Sequence, residues 1–189
     1  KIDNLNKGIS PIYEPGLDEL IEKNHRAGRL IFTTNLSKAV KNSNLIFICV
    51  GTPNKKNSQE VDLSFVFNAV KEIAKSTKNK KIIITKSTVP VTTGDQIENI
   101  LKKLNKKNFE VVSNPEFLRE GEAIRDFRYP DRIIVGSDNK NIFKTIKNLY
   151  QPLINKGSKF FATSRRGAEL IKYASNAFLA TKISFINEL

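Results

Sequence analysis

Two segments of the 189-residue chain carry side chains suited to proton transfer and anion stabilisation. In Ser113-Asn114-Pro115-Glu116-Phe117-Leu118-Arg119-Glu120-Gly121, the carboxylates Glu116 and Glu120 stand four residues apart. On a helical turn that spacing puts both on one face, with Asn114 as cap and Pro115 at the first helical position. Two carboxylates so placed can take and return protons. In Ala168–Lys182, Lys172 and Asn176 have the same spacing on a segment that is apolar on most sides. Such a helix is expected to be buried, and a buried ammonium needs a partner or a task. A fixed cation beside an amide donor is what a developing oxyanion requires. The structural alternative is that Lys172 snorkels to water while Asn176 bonds a backbone group.

Two shorter turns also follow apolar runs. Val50-Gly51-Thr52-Pro53 combines a glycine, which lets a ligand approach the backbone, with a hydroxyl and a proline that turns the chain. Lys86-Ser87-Thr88-Val89-Pro90-Val91 repeats the pattern of hydroxyls followed by proline.

The elements that must hold these residues alternate between short apolar runs and amphipathic stretches. The periodicity predicts a brief strand at Leu30–Thr33, a helical turn at Ser37–Val40 and a buried strand at Leu45–Val50. It then predicts a helix over Leu63–Lys75, with Val66, Val70, Ile73 and Ala74 on one face, and a strand over Lys81–Lys86. A helix over Thr93–Leu104, a strand at Val111–Val112, a strand at Arg132–Gly136 and a helix over Asn141–Leu149 follow. A long helix from Arg166 to Leu189 closes the chain. This alternation implies a parallel sheet with helices on both faces, whose ligands bind beyond the carboxyl ends of the strands. The chemistry-bearing turns fall at those ends.

Composition narrows the classes. The 32 basic and 19 acidic residues leave a net charge of +13, but the lysines are scattered through polar stretches without interleaved aromatics. A nucleic-acid partner is therefore not expected, while an anionic small molecule would be steered inward. No apolar run approaches the roughly 20 residues of a membrane span. The single cysteine, Cys49, excludes an internal disulfide and a multi-cysteine metal site. Its place in an apolar run predicts an inert packed thiol, and the expected address is a reducing cytoplasm. The chain starts at the polar run Lys1-Ile2-Asp3-Asn4 and holds no methionine, so a piece of a longer protein is expected.

Six motifs occur in order: Pro11-Ile12-Tyr13-Glu14-Pro15-Gly16-Leu17, the Val-Gly-Thr-Pro turn, Lys-Ser-Thr-Val-Pro-Val, Ser-Asn-Pro-Glu-Phe-Leu-Arg-Glu-Gly, Tyr129-Pro130-Asp131-Arg132, and the helix from Lys172 to Asn176-Ala-Phe-Leu-Ala. Together they resemble the UDP-glucose 6-dehydrogenase family within the nucleotide-sugar dehydrogenases, over essentially the whole chain. The turn motifs are shared with the GDP-mannose and UDP-N-acetylmannosamine branches, and Pro130-Asp131-Arg132 before Ile-Ile-Val-Gly favours UDP-glucose.

The resemblance implies a Rossmann-like, doubly wound, mostly parallel sheet over residues 1–164, and the start of a central connecting and dimerisation helix over 165–189. It implies NAD-dependent oxidation of UDP-glucose at C6 to UDP-glucuronate, by two hydride transfers through a thioester, in a homodimeric enzyme. Val50, Gly51, Thr52, Pro53, Ser87, Thr88 and Glu120 would meet the cofactor. Glu116, Phe117, Leu118, Arg119, Glu120, Lys172 and Asn176 would hold the nucleotide sugar. Thr88 would position a water, Lys172 and Asn176 would stabilise the substrate oxygen, and Glu116 or Glu120 would be the hydrolytic base. No metal is implied. The family's glycine-rich phosphate turn and ribose-binding acid are expected before Lys1, and its nucleophilic cysteine beyond Leu189. Thr92 departs from the family pattern, which commonly has glycine there, and leaves that loop's conformation open. The rivals are a sister nucleotide-sugar dehydrogenase and a Rossmann-like binding module without catalysis.

Overall fold

The computed structural model describes residues 1–189. Five strands form one sheet: β1 (Leu45–Ile48), β2 (Lys81–Thr85), β3 (Phe109–Ser113), β4 (Arg132–Gly136) and β5 (Lys159–Thr163). They lie side by side in chain order. β1, β2 and β3 run parallel, as do β4 and β5, while β3 and β4 meet antiparallel through Ser113 and Gly136. The result is the expected α/β, doubly wound, mostly parallel sheet.

Eight helices surround it: α1 (Ile2–Asn6), α2 (Leu17–Arg26), α3 (Leu36–Lys41), α4 (Ser64–Ser76), α5 (Thr93–Lys103), α6 (Ala123–Arg128), α7 (Lys140–Ile154) and α8 (Arg165–Glu188). β2 shows why both faces are covered. All five of its residues are buried, with Ile83 in one apolar cluster and Ile82 and Ile84 in another. Alternate side chains of a strand point to opposite faces, so an unbroken isoleucine run requires helices on both. Val66, Val70, Ile73 and Ala74 of α4 cover one face with Ile97 and Leu101 of α5. Ile142, Ile146 and Tyr150 of α7 cover the other.

Three expectations are corrected. Leu30–Thr33 forms no strand: the sheet begins at β1, no strand pairs with this segment, and Ile31 is 78% exposed. Extended backbone becomes a strand only beside a partner. The predicted helical turn after Pro115 is absent, and residues 114–119 are irregular. The long helix is not buried throughout. Its buried residues are Arg165, Ala168, Glu169 and Lys172, all in its first turns.

α8 lies against β3 and β4. A side chain at Gly136 would meet Ser164 O at 2.5 Å and Ala168 Cβ at 2.7 Å, so only glycine lets this helix approach the strand so closely. That approach brings Lys172 to the carboxyl end of β3. No helix is long and apolar enough to cross a membrane.

Candidate functional site

The strand-end turns are joined by their own hydroxyls. Thr52 Oγ1 donates to Thr88 O at 2.9 Å, and Ser87 Oγ donates to Val50 O at 2.7 Å. The turns after β1 and β2 therefore form one continuous surface. A side chain at Gly51 would meet nothing within 4 Å, leaving its backbone open to a flat ligand. Thr88 is half-buried at this surface. Cys49 lies just beyond β1 and is exposed, not packed inside the strand as expected. Partial burial nevertheless raises its pKa, ahead of the opposing pull of Lys86, so it remains a poor nucleophile.

Beyond β3 the chain forms an irregular loop fixed by four polar anchors. The buried Asn114 donates to Ile134 O at 2.8 Å and accepts from the Tyr150 hydroxyl, instead of capping a helix. Burial pushes the Tyr150 pKa up to about 12, which keeps this hydroxyl a donor. Glu14 reaches over from the N-terminal segment and accepts from the Gly121 and Ala123 amides at 3.0 and 2.8 Å. Asp126 accepts from Arg119 Nε and Nη2 at 3.0 and 2.7 Å, and the hydrogen-bonded Arg119 holds the Asp126 carboxyl at about 2. The fourth anchor is Lys172, whose Nζ lies 3.0 Å from Glu116 Oε1.

Lys172 is buried and does not snorkel to water, unlike the structural alternative. Its ammonium also stands 5.3 Å from the centre of the Phe117 ring, and Arg132 stands 4.6 Å from the same ring. One aromatic side chain is thus flanked by two cations. Glu116, Phe117, Leu118 and Arg119 line a cleft of about 540 Å³, together with Lys86 and Arg132. That size suits a small-molecule ligand. Burial lowers the Lys86 pKa to about 8, against the pull of Cys49 and Glu116 and with the push of Lys172.

The structure therefore brings Lys172, Glu116 and Phe117 together. Glu120 lies exposed in the turn that follows, away from the shared helical face expected for it and Glu116. Asn176 is exposed one turn beyond Lys172. Lys86, Arg132, Tyr150 and Glu14 escaped the sequence analysis as site-forming residues. Lys86 had one legible signal, its place at the end of an apolar strand directly before the Ser-Thr pair.

A family model described as the NAD-binding domain of the UDP-glucose/GDP-mannose dehydrogenases matches residues 1–154. The chain belongs to the UDP-glucose/GDP-mannose dehydrogenase family. The family's central-domain model matches residues 166–189. UDP-glucose 6-dehydrogenases of Rhizobium meliloti and Bacillus subtilis are similar to this chain at 50% and 47% identity across all of it. The chain spans 44% and 42% of their lengths. Among solved structures, a GDP-mannose dehydrogenase of Pseudomonas aeruginosa and a UDP-glucose dehydrogenase of Pyrobaculum islandicum each superpose with a TM-score of 0.92 at 36% identity. They cover 100% and 99% of this chain, which covers 44% of each.

In the frame of this dehydrogenase family, the open backbone at Gly51 and the hydroxyl-tied turns of β1 and β2 fit the edge of an NAD site.

Proposed function

We propose that this chain is the nucleotide-binding and early central part of an enzyme that oxidises UDP-glucose to UDP-glucuronate with NAD⁺. One observation carries the reading: a buried ammonium, Lys172, stands 3.0 Å from Glu116, which lines a cleft beyond the carboxyl end of β3. The balanced reaction converts one primary alcohol, one water and two NAD⁺ into one carboxylate, two NADH and three protons. NAD⁺ supplies the hydride acceptor, and Val50, Gly51, Thr52, Pro53, Ser87, Thr88 and Glu120 are the residues proposed to meet it.

The protein's own task is electrostatic. Loss of hydride from C6 proceeds as the alcohol oxygen gives up its proton and gains negative charge. Lys172, with Asn176 beside it, is proposed to stabilise that oxygen, and a cation held by packing needs no reorganisation to do so. Glu116, already within contact of Lys172, is proposed as the base that activates water to hydrolyse the thioester formed by the second hydride transfer, releasing the carboxylate and the thiol of the nucleophile, with Glu120 as the second candidate. Thr88 is proposed to position that water. Phe117, Leu118 and Arg119 are proposed to hold the nucleotide sugar with Glu116.

Residues 1–164 are assigned to the NAD-binding domain and 165–189 to the connecting helix, a division supported by the start of α8 at Arg165. A homodimer is proposed on the exposed apolar side of that helix, and the lone cysteine supports a cytoplasmic address. The dispersed lysines support no nucleic-acid partner.

The test is NADH formation by the complete enzyme containing this segment, supplied in turn with UDP-glucose, GDP-mannose and UDP-N-acetylmannosamine. Two NADH per UDP-glucose and little turnover of the others are expected. A ratio of one would refute the four-electron reading, and preference for another sugar would reassign the substrate.

A further inference from the structure

Glu169 takes no part in the chemistry proposed above, yet it joins two elements that do. Its side chain is 2% exposed. Oε2 accepts the Thr92 N–H and Oε1 accepts the Gly94 N–H, both at 2.8 Å. These amides open α5, where backbone donors have no intrahelical acceptor. Thr92 is held at φ 80°, the left-handed region that residues with a side chain rarely adopt. This settles the loop conformation that its departure from glycine left open, and Glu169 is one of the contacts that hold it there.

The connection is short on both sides. Thr88 lies four residues before Thr92, and Lys172 lies three residues after Glu169, one turn along the same buried face. A single carboxylate thus ties the loop carrying Thr88 to the helix carrying Lys172. The fit is tight: a side chain at Gly94 would stand 3.1 Å from Glu169 Oε1 and 3.2 Å from Arg165 Cδ. One turn earlier, Arg165 bridges Asp95 and Glu98 of α5 at 3.2 Å each and Asp138 at 2.6 Å, which stops α8 from rotating.

Burial raises the Glu169 pKa, against the pull of the Gly94 and Thr92 amides. Each of its two oxygens nevertheless accepts a backbone N–H, the acceptor role to which a carboxylate is suited. We propose that Glu169 is a positioning residue: through backbone amides it sets the separation of Thr88 and Lys172, touching neither substrate nor cofactor. The proposal rests on the roles given above to those two residues.

The experiment is steady-state kinetics of the Glu169→Gln variant in the complete enzyme, with UDP-glucose and NAD⁺. The amide has the carboxylate's shape but turns an NH₂ toward one of the two donors. A loss of about 10–100-fold in kcat is expected, with KM for UDP-glucose within about threefold, because misplacement of roughly 1 Å at a reacting centre costs rates of that order. In a Lys172→Ala background the same change should cost less than about twofold, since the separation from Thr88 no longer matters once the ammonium is gone. Gly94→Ala, which crowds the same contact from α5, should reproduce the kcat loss and carries the test if the Gln variant does not fold. Normal kcat in folded variants would overturn the proposal. So would an undiminished loss in the Lys172→Ala background, which marks a general structural role. Failure of the functional reading shows separately, as a wild-type enzyme that does not oxidise UDP-glucose.

Discussion

In its first turns α8 buries Arg165, Glu169 and Lys172, whereas from Phe178 onward it exposes Phe178, Leu179, Ile183, Phe185 and Ile186. The two halves invert the usual rule that charge faces water and hydrocarbon faces the core. Each buried charge in the first half has partners: Arg165 three carboxylates, Glu169 two amides, Lys172 a carboxylate and an aromatic ring. The apolar half packs against nothing in this chain. Hydrophobicity states what a segment gains by burial. Whether burial occurs depends on a surface close enough to provide it, and Gly136 supplies that surface only at the helix root.

The sharpest way to break this comparison is to remove the charge closest to the proposed chemistry. Lys172→Ala in the complete enzyme should lower kcat by about 10²–10³, roughly 2.7–4 kcal/mol, with a much smaller change in KM for UDP-glucose. Asn176→Ala should act in the same direction but less, because a neutral amide is a weaker partner than a cation. A folded Lys172→Ala enzyme with near-normal kcat would reduce the buried half of α8 to architecture.

The second test concerns Lys86, the cation that faces Lys172 and Glu116 without an ion pair of its own. Its pKa is depressed from 10.5 to about 8 by burial, so the folded state disfavours its charge by up to about 3 kcal/mol. A depressed pKa contributes most to stability above the unfolded value, near pH 10.5, and that contribution is lost as pH falls through 8. Wild-type stability should therefore carry a rising component between pH 8 and 10.5. Lys86→Met should abolish that component and raise stability at pH 7. Denaturant unfolding across this pH range measures both, and identical pH slopes in the two proteins would refute the assignment.

The contrast between the halves of α8 also marks how far the sequence could be read. Short apolar runs and period-3.6 patterns located β1 to β4 and helices α4, α5 and α7, which bury apolar residues, and also α8, whose apolar stripe stays exposed. β5, Lys-Phe-Phe-Ala-Thr, was not anticipated, since as an edge strand it leaves Lys159, Phe161 and Ala162 exposed. Helix α2 went unread, although Asp18 and Glu19 in its first turn and basic residues in its last are a legible signal. The loop after β3 was beyond local reasoning. Its path depends on Glu14, Ile134, Tyr150 and Lys172, which the fold brings together from distant positions. Lys172 stood out as an anomaly of polarity; its pairing with Glu116 required the fold.

The smallest effect is expected in the exposed half. Phe178→Asp should change the stability of this chain by less than about 0.5 kcal/mol, because Phe178 is 67% exposed and the two residues have similar helix propensity. In the complete enzyme the same change should dissociate the proposed homodimer, since an unpaired carboxylate placed in an apolar contact costs far more than it does in water. Light scattering coupled to size exclusion reads the mass, and thermal melts of the chain read its stability. A normal dimer mass in the variant would show that this stripe is not the subunit contact. A large loss of stability in the isolated chain would mean that Phe178 packs within it, and the two halves of α8 would no longer differ in the way described.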